Sequence, residues 1–332
     1  MKFSLIICTY HRPQPLLKLL KSVAEQNLYP DQILIIDGSH NNDTANALEK
    51  ESFLKLKYFK VTEENRGLTK QRNFGIKRVA ASSEIVCFLD DDIVLTPSYF
   101  KNLLNTYTAF PDAVGVGGYI IDEVEWNKSD NEDSHYHEFE IDGWKRKLGS
   151  RNVLRKKLNL LSTKPPGYMP AEGNGFSTGF LPPSEENYSV EFFMGGVASY
   201  RTSLFEKISF SEYFQGYGLY EDMDFCLRAS KVGQLYVNTN AKLYHYHEEG
   251  GRPNKFRYGK MVVRNGWYVW RVKYHHPTLN AKIKWHATAW LLTLIRLGNG
   301  FTTSEKKSAF TESVGRIWGW LSLLWNTPNV HR

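Results

Sequence analysis

Acidic residues are missing from one long stretch of this chain. From Gly250 to Ser304 there are ten Lys or Arg and no Asp or Glu, so this window carries +10 and the rest of the 332 residues −3 of a formal net +7. One face or tail is therefore basic. Such a surface suits anionic lipid, a polyanion or a phosphate-bearing ligand. No recognised nucleic-acid-binding module accompanies the charge, so nucleic acid is not an expected partner. Cysteine is scarce as well. Cys8, Cys87 and Cys226 are widely spaced, which argues against a disulfide or zinc framework and fits a reducing compartment. No apolar run reaches the ~20 residues that a spanning helix needs. The first ten residues are too short an apolar run for a signal peptide, so a cytoplasmic location is expected and the sequons at Asn42, Asn127 and Asn187 carry little weight. Neither GxGxxG nor GxxxxGK[ST] occurs, which removes the dinucleotide fingerprint and the P-loop. No internal repeat or low-complexity segment is present.

What is present is a regular alternation. Hydrophobic residues make up 42% of the chain, enough for a real core. Apolar runs at 3–8, 33–36 and 85–89 read as buried strands, and 56–61 as a further strand. Between them, helical periodicity follows Pro13, covers 43–50 and covers 68–80. Strand and helix alternating over about 90 residues predict a parallel α/β sheet with helices on both faces. A helix over 97–110 and a Gly-rich strand over 114–121 follow. Residues 122–190 read as an irregular excursion over the sheet edge, polar and then basic. His135 and His137 within it fit exposed loop histidines better than a metal site, since no second ligand cluster accompanies them. Strand character returns at 191–201, 235–237 and 243–247, and alternation puts His245 and His247 on one face.

Polar clusters fall where the predicted strands end: Thr9, Tyr10 and Arg12, then Asp37, Gly38 and Ser39, then Asp90, Asp91 and Asp92. Open α/β sheets bind ligands at that edge. Three carboxylates at the end of a buried strand repel one another and lose hydration, and a divalent metal is the simplest compensation. The competing reading is an exposed acidic turn. Gly195 and Gly196 would let a ligand approach the backbone closely. Glu221, Asp222 and Asp224 open a helix, where the dipole favours acids; helix capping alone is the bland reading, and three acids exceed what a cap needs.

In this order the motifs resemble those of a family 2 glycosyltransferase. The motifs are Ile6–Arg12, Ile35–Ser39, Asn65-Arg66-Gly67 with Gln71-Arg72-Asn73, Asp90-Asp91-Asp92 and Glu221-Asp222-Met223-Asp224. The resemblance covers about residues 3–250. It implies the GT-A fold: a nucleotide-binding, Rossmann-like, mixed but mostly parallel sheet flanked by helices, here with a C-terminal helical extension. It divides the chain into a glycosyltransferase domain over 1–250 and a basic, aromatic helical region over 251–332. The domain would comprise a nucleotide-sugar half over 1–121, the irregular insertion over 122–190 and an acceptor half over 191–250.

The resemblance also implies roles. Thr9, Tyr10 and Arg12 would border the nucleotide, Asp37 would reach the base, and Arg72 would lie near the phosphates. Asp90 and Asp91 join this donor-binding set, with Asp91 the least expected of the three acids to touch the ligand. Asp92 would hold Mn2+ or Mg2+, with His245 or His247 as a further metal contact. Asp222 matches the catalytic base, and Gly195, Gly196 and Glu221 fall on the donor-sugar and acceptor side. The implied reaction is inverting, metal-dependent transfer of a sugar from a nucleotide-diphosphate donor, UDP favoured, to a hydroxyl of a glycan, polysaccharide or lipid-linked acceptor. A nucleotidyltransferase would be expected to show a Gly-rich basic loop near the N-terminus, and Thr9 to Pro13 contains no glycine. A non-catalytic nucleotide- or carbohydrate-binding protein is the other alternative, and the retention of both Asp92 and Asp222 weighs against it.

Seven of the nine tryptophans lie after residue 260, among the basic residues. That pairing suits an interfacial helix on an anionic membrane. Ordinary amphipathic helices packing on the domain or on a second subunit would read the same way.

Overall fold

A computed structural model describes residues 1–129, 136–247 and 253–330. The chain divides into two compact units, Met1–Val124 with Leu181–Arg252, and Glu125–Phe180 with Pro253–Arg332. The first begins with β1 (Phe3–Thr9), α1 (Pro13–Ala24), β2 (Gln32–Asp37), α2 (Asp43–Leu48), β3 (Leu56–Lys60), α3 (Leu68–Ile76), β4 (Ile85–Asp90), β5 (Ile93–Leu95), α4 (Tyr99–Ala109) and β6 (Ala113–Ile120). The chain then supplies β7 (Asn127–Lys128), β8 (Glu138–Ile141), β9 (Trp144–Lys147) and α5 (Ser150–Lys157) to the second unit. It returns to the first with β10 (Asn187–Val190), β11 (Val197–Arg201), α6 (Glu221–Ala229) and β12 (Gln234–His245). The second unit ends with α7 (Lys255–Lys273), α8 (Leu279–Thr302) and α9 (Lys306–Ser322).

The first unit is built on one sheet in the order β10-β12-β6-β11-β4-β1-β2-β3, with β5 paired to β12. β1, β2, β3 and β4 run parallel. β11 runs against both β4 and β6, which leaves β6 and β12 parallel to the first four. The result is the expected mixed, mostly parallel sheet flanked by helices. Continuous apolar runs form its centre because both faces are covered: Leu5, Ile7, Ile33, Ile35, Ile85 and Cys87 are fully buried. α1 starts on Pro13, which needs no helical N–H partner there. It buries Leu16, Leu19, Leu20 and Val23, one face at helical spacing. Full burial of each such side chain contributes about 1.5–3 kcal/mol. β6 is Gly-rich because its neighbours need the room: side chains at Gly115 and Gly117 would meet Tyr200 and Phe193.

Parallel register delivers the polar clusters to one edge. Thr9 pairs with Asp37, and Cys8 with Asp90. Three expectations need correction. Residues 191–196 are not strand: regular pairing of β11 with β4 begins at Val197, and the Gly195 N–H goes to the Asp222 side chain and not to a neighbouring strand. The two predicted strands at 235–237 and 243–247 are one, β12, carried through an irregularity between Val237 and Lys242. It ends at His245, and His247 adopts a left-handed φ of 51°. The excursion at 122–190 is not wholly irregular, since β7, β9 and β8 form an antiparallel sheet and α5 follows. His135 and residues 248–250 lie outside the described residues.

Candidate active site

The three acids at the end of β4 are not equivalent. Asp91 turns inward: its Oδ2 accepts from the Thr9 hydroxyl at 2.6 Å and its Oδ1 from Arg12 Nη1 at 3.0 Å. Burial pushes its carboxyl up to about 6, against the pull of Thr9 and Arg12. Asp92 is also buried. It accepts from the same Arg12 nitrogen at 3.1 Å, and its Oδ1 lies 3.1 Å from His245 Nε2. Asp90 is the open one, with 43% of its side chain exposed against 6–7% for its two neighbours. Ligating atoms of Asp90, Asp92 and His245 all lie within 4.8 Å of one another. Two carboxylates and one imidazole, with one carboxylate facing solvent, fit a divalent cation of the Mn2+ or Mg2+ kind. His245 gains basicity here: burial opposes its charge, but the Asp92 hydrogen bond and charge outweigh burial.

A second cluster adjoins this one. Arg72 is buried between the rings of Phe88 and Phe210, 5.5 and 5.2 Å from their centroids. Its Nη1 donates to Glu221 Oε1 at 2.5 Å, and its Nη2 lies 3.7 Å from Asp90 Oδ1. Burial pushes Glu221 up to about 8, although the guanidinium opposes it. Its other oxygen is buried with no hydrogen-bond partner. Asp222, next along α6, is half-buried. It accepts from the Gly195 N–H at 3.1 Å through Oδ2 and from the Met223 N–H at 2.8 Å through Oδ1. Asp224 does something else: it is buried and paired with Arg228 one turn on, a bond internal to α6.

Gly195 and Gly196 bind these clusters together. A Cβ at Gly195 would stand 2.7 Å from Arg72 Nη1 and 2.8 Å from Glu221 Oε1, and one at Gly196 would run into the Asp90 carboxylate. In this structure the glycines admit the protein's own charged groups. Asp37 is fully buried, with Oδ1 accepting from the Ser39 N–H and Oδ2 from the Tyr58 hydroxyl. Tyr10 is exposed and packs edge-on against His11, beside His40. His247 Nε2 lies 2.8 Å from Glu123 Oε1, and its ring centroid is 4.1 Å from that of His245.

The expected residues therefore gather in two linked sets, Thr9–Arg12–Asp91–Asp92–His245 and Arg72–Glu221–Asp222–Asp90. Sequence reasoning missed Glu123, Tyr58, His11 and His40. His11 and His40 each follow a strand end, a signal that was available. Glu123 carried none, being one acid in a polar stretch.

Comparisons with known proteins follow the same line. The family model described as glycosyl transferase family 2 matches residues 4–209. A glucosyl-dolichyl phosphate glucuronosyltransferase from Haloferax volcanii is 27% identical over 123 residues, 36% of this chain and 39% of that protein. A GalNAc(5)-diNAcBac-PP-undecaprenol beta-1,3-glucosyltransferase from Campylobacter jejuni is 30% identical over 105 residues, 31% of this chain and 33% of that one. The matches thus span little more than a third of these relatives' length. Among solved structures, a mannosyltransferase from Pyrobaculum calidifontis, in complex with GDP-Man and Mn2+, superposes with a TM-score of 0.52 at 15% identity. That superposition covers 98% of this chain and 88% of the other, and shows a shared fold.

Proposed function

The chain belongs to glycosyl transferase family 2, and from that premise we propose that it transfers a sugar from a nucleoside-diphosphate donor to a hydroxyl acceptor, with inversion and with a divalent cation. The observation that carries this reading is the continuity between the Asp90–Asp92–His245 group and Asp222. Arg72 reaches Asp90 and Glu221, Glu221 precedes Asp222, and the Gly195 N–H holds Asp222. One set of groups can meet a diphosphate while the other meets an acceptor hydroxyl.

Asp90, Asp92 and His245 would hold the cation, which supplies positive charge against the diphosphate leaving group. Asp222 accepts the acceptor's proton as its oxygen attacks the anomeric carbon. Its hydrogen bonds from the Gly195 and Met223 N–H groups fix the carboxylate's orientation. Arg72 adds fixed positive charge close to Asp90, and Arg12 and Thr9 lock the acidic turn. Tyr10 is the exposed ring at the end of β1 available to a base, and Asp37 shapes that edge through Ser39 and Tyr58. A uridine donor is our first expectation, with guanosine as the alternative. Asp222→Asn is expected to lower turnover by about 10²–10⁴-fold, the usual weight of a general base, while donor binding by calorimetry is retained. Normal turnover by that variant with a working acceptor would end this assignment. Asp92→Ala should abolish cation-dependent donor binding.

A lipid-borne acceptor on an anionic membrane is the site of action we favour, and an observation in the second unit supports it. On α8, Leu279, Ile283, Leu294 and Phe301 share one face, and each is more than half exposed. On α9, Phe310, Val314 and Trp318 do the same, all exposed. The relatives from Haloferax and Campylobacter carry lipid carriers in their names. No helix among the described residues is long and apolar enough to cross a membrane, so the fit is to an interfacial position. Flotation with anionic vesicles should carry the protein into the lipid fraction, and Phe301→Ser with Trp318→Ser should release it. Absence from both anionic and neutral vesicles removes the membrane reading.

A further inference from the structure

Glu312 is the only acid in α7, α8 and α9, and it holds two arginines. Arg296 Nε donates to Oε2 at 2.9 Å; Arg316 donates to Oε1 through Nε at 3.1 Å and Nη2 at 2.7 Å. Among the described residues neither guanidinium pairs with a second acid, so the trio carries one positive charge in excess. The carboxylate is buried, while 22% of the Arg296 side chain and 15% of the Arg316 side chain stay exposed. The bonds to Glu312 leave Arg316 Nη1 and both terminal nitrogens of Arg296 for another acceptor. One arginine neutralises one carboxylate. The second either locks α8 to α9 or serves a further anion.

The surroundings favour the anion. Among the described residues Arg316 is the one charged side chain lining a shallow crevice, whose walls include Val263, Trp290, Thr293, Ile317 and Trp320. Trp290 stands one turn before the exposed Leu294 on α8, and Ile317 one turn after the exposed Val314 on α9. The crevice therefore borders both exposed apolar stripes. A guanidinium at the edge of apolar stripes matches a molecule with an anionic head and an apolar tail. We propose that Arg316, backed by Arg296, binds the terminal phosphate of a membrane lipid, with Trp290, Ile317 and the exposed stripes against its apolar chain. This inference rests on the membrane reading above and names the headgroup recognised there. A terminal phosphate offers three acceptor oxygens and a charge of about −1.5 to −2, enough for two guanidiniums. A phosphodiester headgroup offers two free oxygens and one charge, which one guanidinium satisfies.

The test is binding of the full chain to vesicles containing phosphatidic acid or phosphatidylglycerol, adjusted to equal surface potential. The expected affinity for phosphatidic acid is higher by about tenfold or more, the weight of one charge-assisted hydrogen bond. Arg316→Gln should bring the ratio of the two affinities close to one. Lys282→Gln removes an exposed charge of α8 outside the crevice; it should weaken both affinities alike and leave the ratio as it was. Circular dichroism checks the fold, and if Arg316→Gln fails it, Arg296→Gln gives the same test from the other side of Glu312. Equal affinity of the parent for the two vesicles, or a ratio unchanged in Arg316→Gln, would overturn the phosphate site and leave the membrane reading standing. Absence of binding to both vesicles would remove the two together. Release from phosphatidic acid by an equal concentration of inorganic phosphate would show that the apolar chain contributes nothing, and would overturn the lipid as the occupant.

Discussion

Gly196 and Asp90 fit together as a missing side chain and a carboxylate: a Cβ on the glycine would occupy the place of the Asp90 carboxyl group. The Gly196 carbonyl meanwhile accepts from the Asp90 N–H at 3.1 Å, so neither backbone can withdraw. Gly196→Ala should therefore push the carboxylate out of the Asp90–Asp92–His245 group. Overpacking of this kind costs about 1–3 kcal/mol. The expected outcome is a folded protein, by circular dichroism, whose Mn2+ affinity falls at least tenfold in calorimetric titration. Unchanged Mn2+ affinity would show that Asp90 does not contribute to the cation site.

Glu221 couples stability to pH. Burial raises its carboxyl from 4.5 to about 8. Between those values the folded state holds a proton that the unfolded chain has released, so this group's contribution is fully present below about pH 4.5 and is lost as pH rises through 8. Glu221→Gln removes the titration. The difference in melting temperature between parent and Glu221→Gln should shift steadily in the variant's favour from pH 5 to pH 8. A constant difference would mean that Arg72 keeps the carboxylate ionised throughout. Arg72→Met should cost more at high pH than at low pH, because an unpaired buried carboxylate is the expensive species.

β1, β2 and β4 were legible because a strand buried on both faces needs an unbroken apolar run, and each carries one. The acidic turn was legible as a charge problem at the end of β4. Its division of labour was not legible from three identical residues: the family resemblance alone set Asp91 apart, and in the structure Asp91 turns inward toward Thr9 and Arg12. The glycine pair was visible, but not what fills the space beside it, since a gap for a ligand and a gap for Arg72 read alike. The middle of β12, Asn238-Thr239-Asn240, is polar and carries no strand signal of its own. Asn238 instead bonds into α4, donating to Asn102 O and Thr106 Oγ1 at 2.9 Å.

In the second unit, α7 and α9 touch backbone to backbone. A Cβ added at Gly259 would strike the Glu312 carbonyl, and one at Gly315 the Phe256 carbonyl. Neither neighbour is a side-chain end that can swing away. Gly315→Val should force the helices apart and cost about 1–3 kcal/mol or more. It should appear as a lowered melting temperature. The first unit's cation binding should stay intact, since Asp90, Asp92 and His245 belong to a separate compact unit. Loss of cation binding together with helix stability would show that the two units fold as one.

His286 and Trp320 make the second unit acid-sensitive. The Trp320 Nε1–H donates to His286 Nδ1 at 3.0 Å. An indole nitrogen only donates, so Nδ1 must be unprotonated. Burial agrees, holding the His286 pKa below 6.5. The unfolded chain therefore takes up a proton first as pH falls. This group's contribution is fully present above about pH 6.5 and is lost as pH drops toward the folded value. The Trp320 indole N–H resonance, assigned by its absence in Trp320→Phe, should stay sharp at pH 7.5 and broaden below pH 6. His286→Phe should remove that stretch of the stability–pH curve, so that its melting temperature falls less than the parent's between pH 7 and pH 5. Equal falls in the two proteins would assign the acid response to other groups.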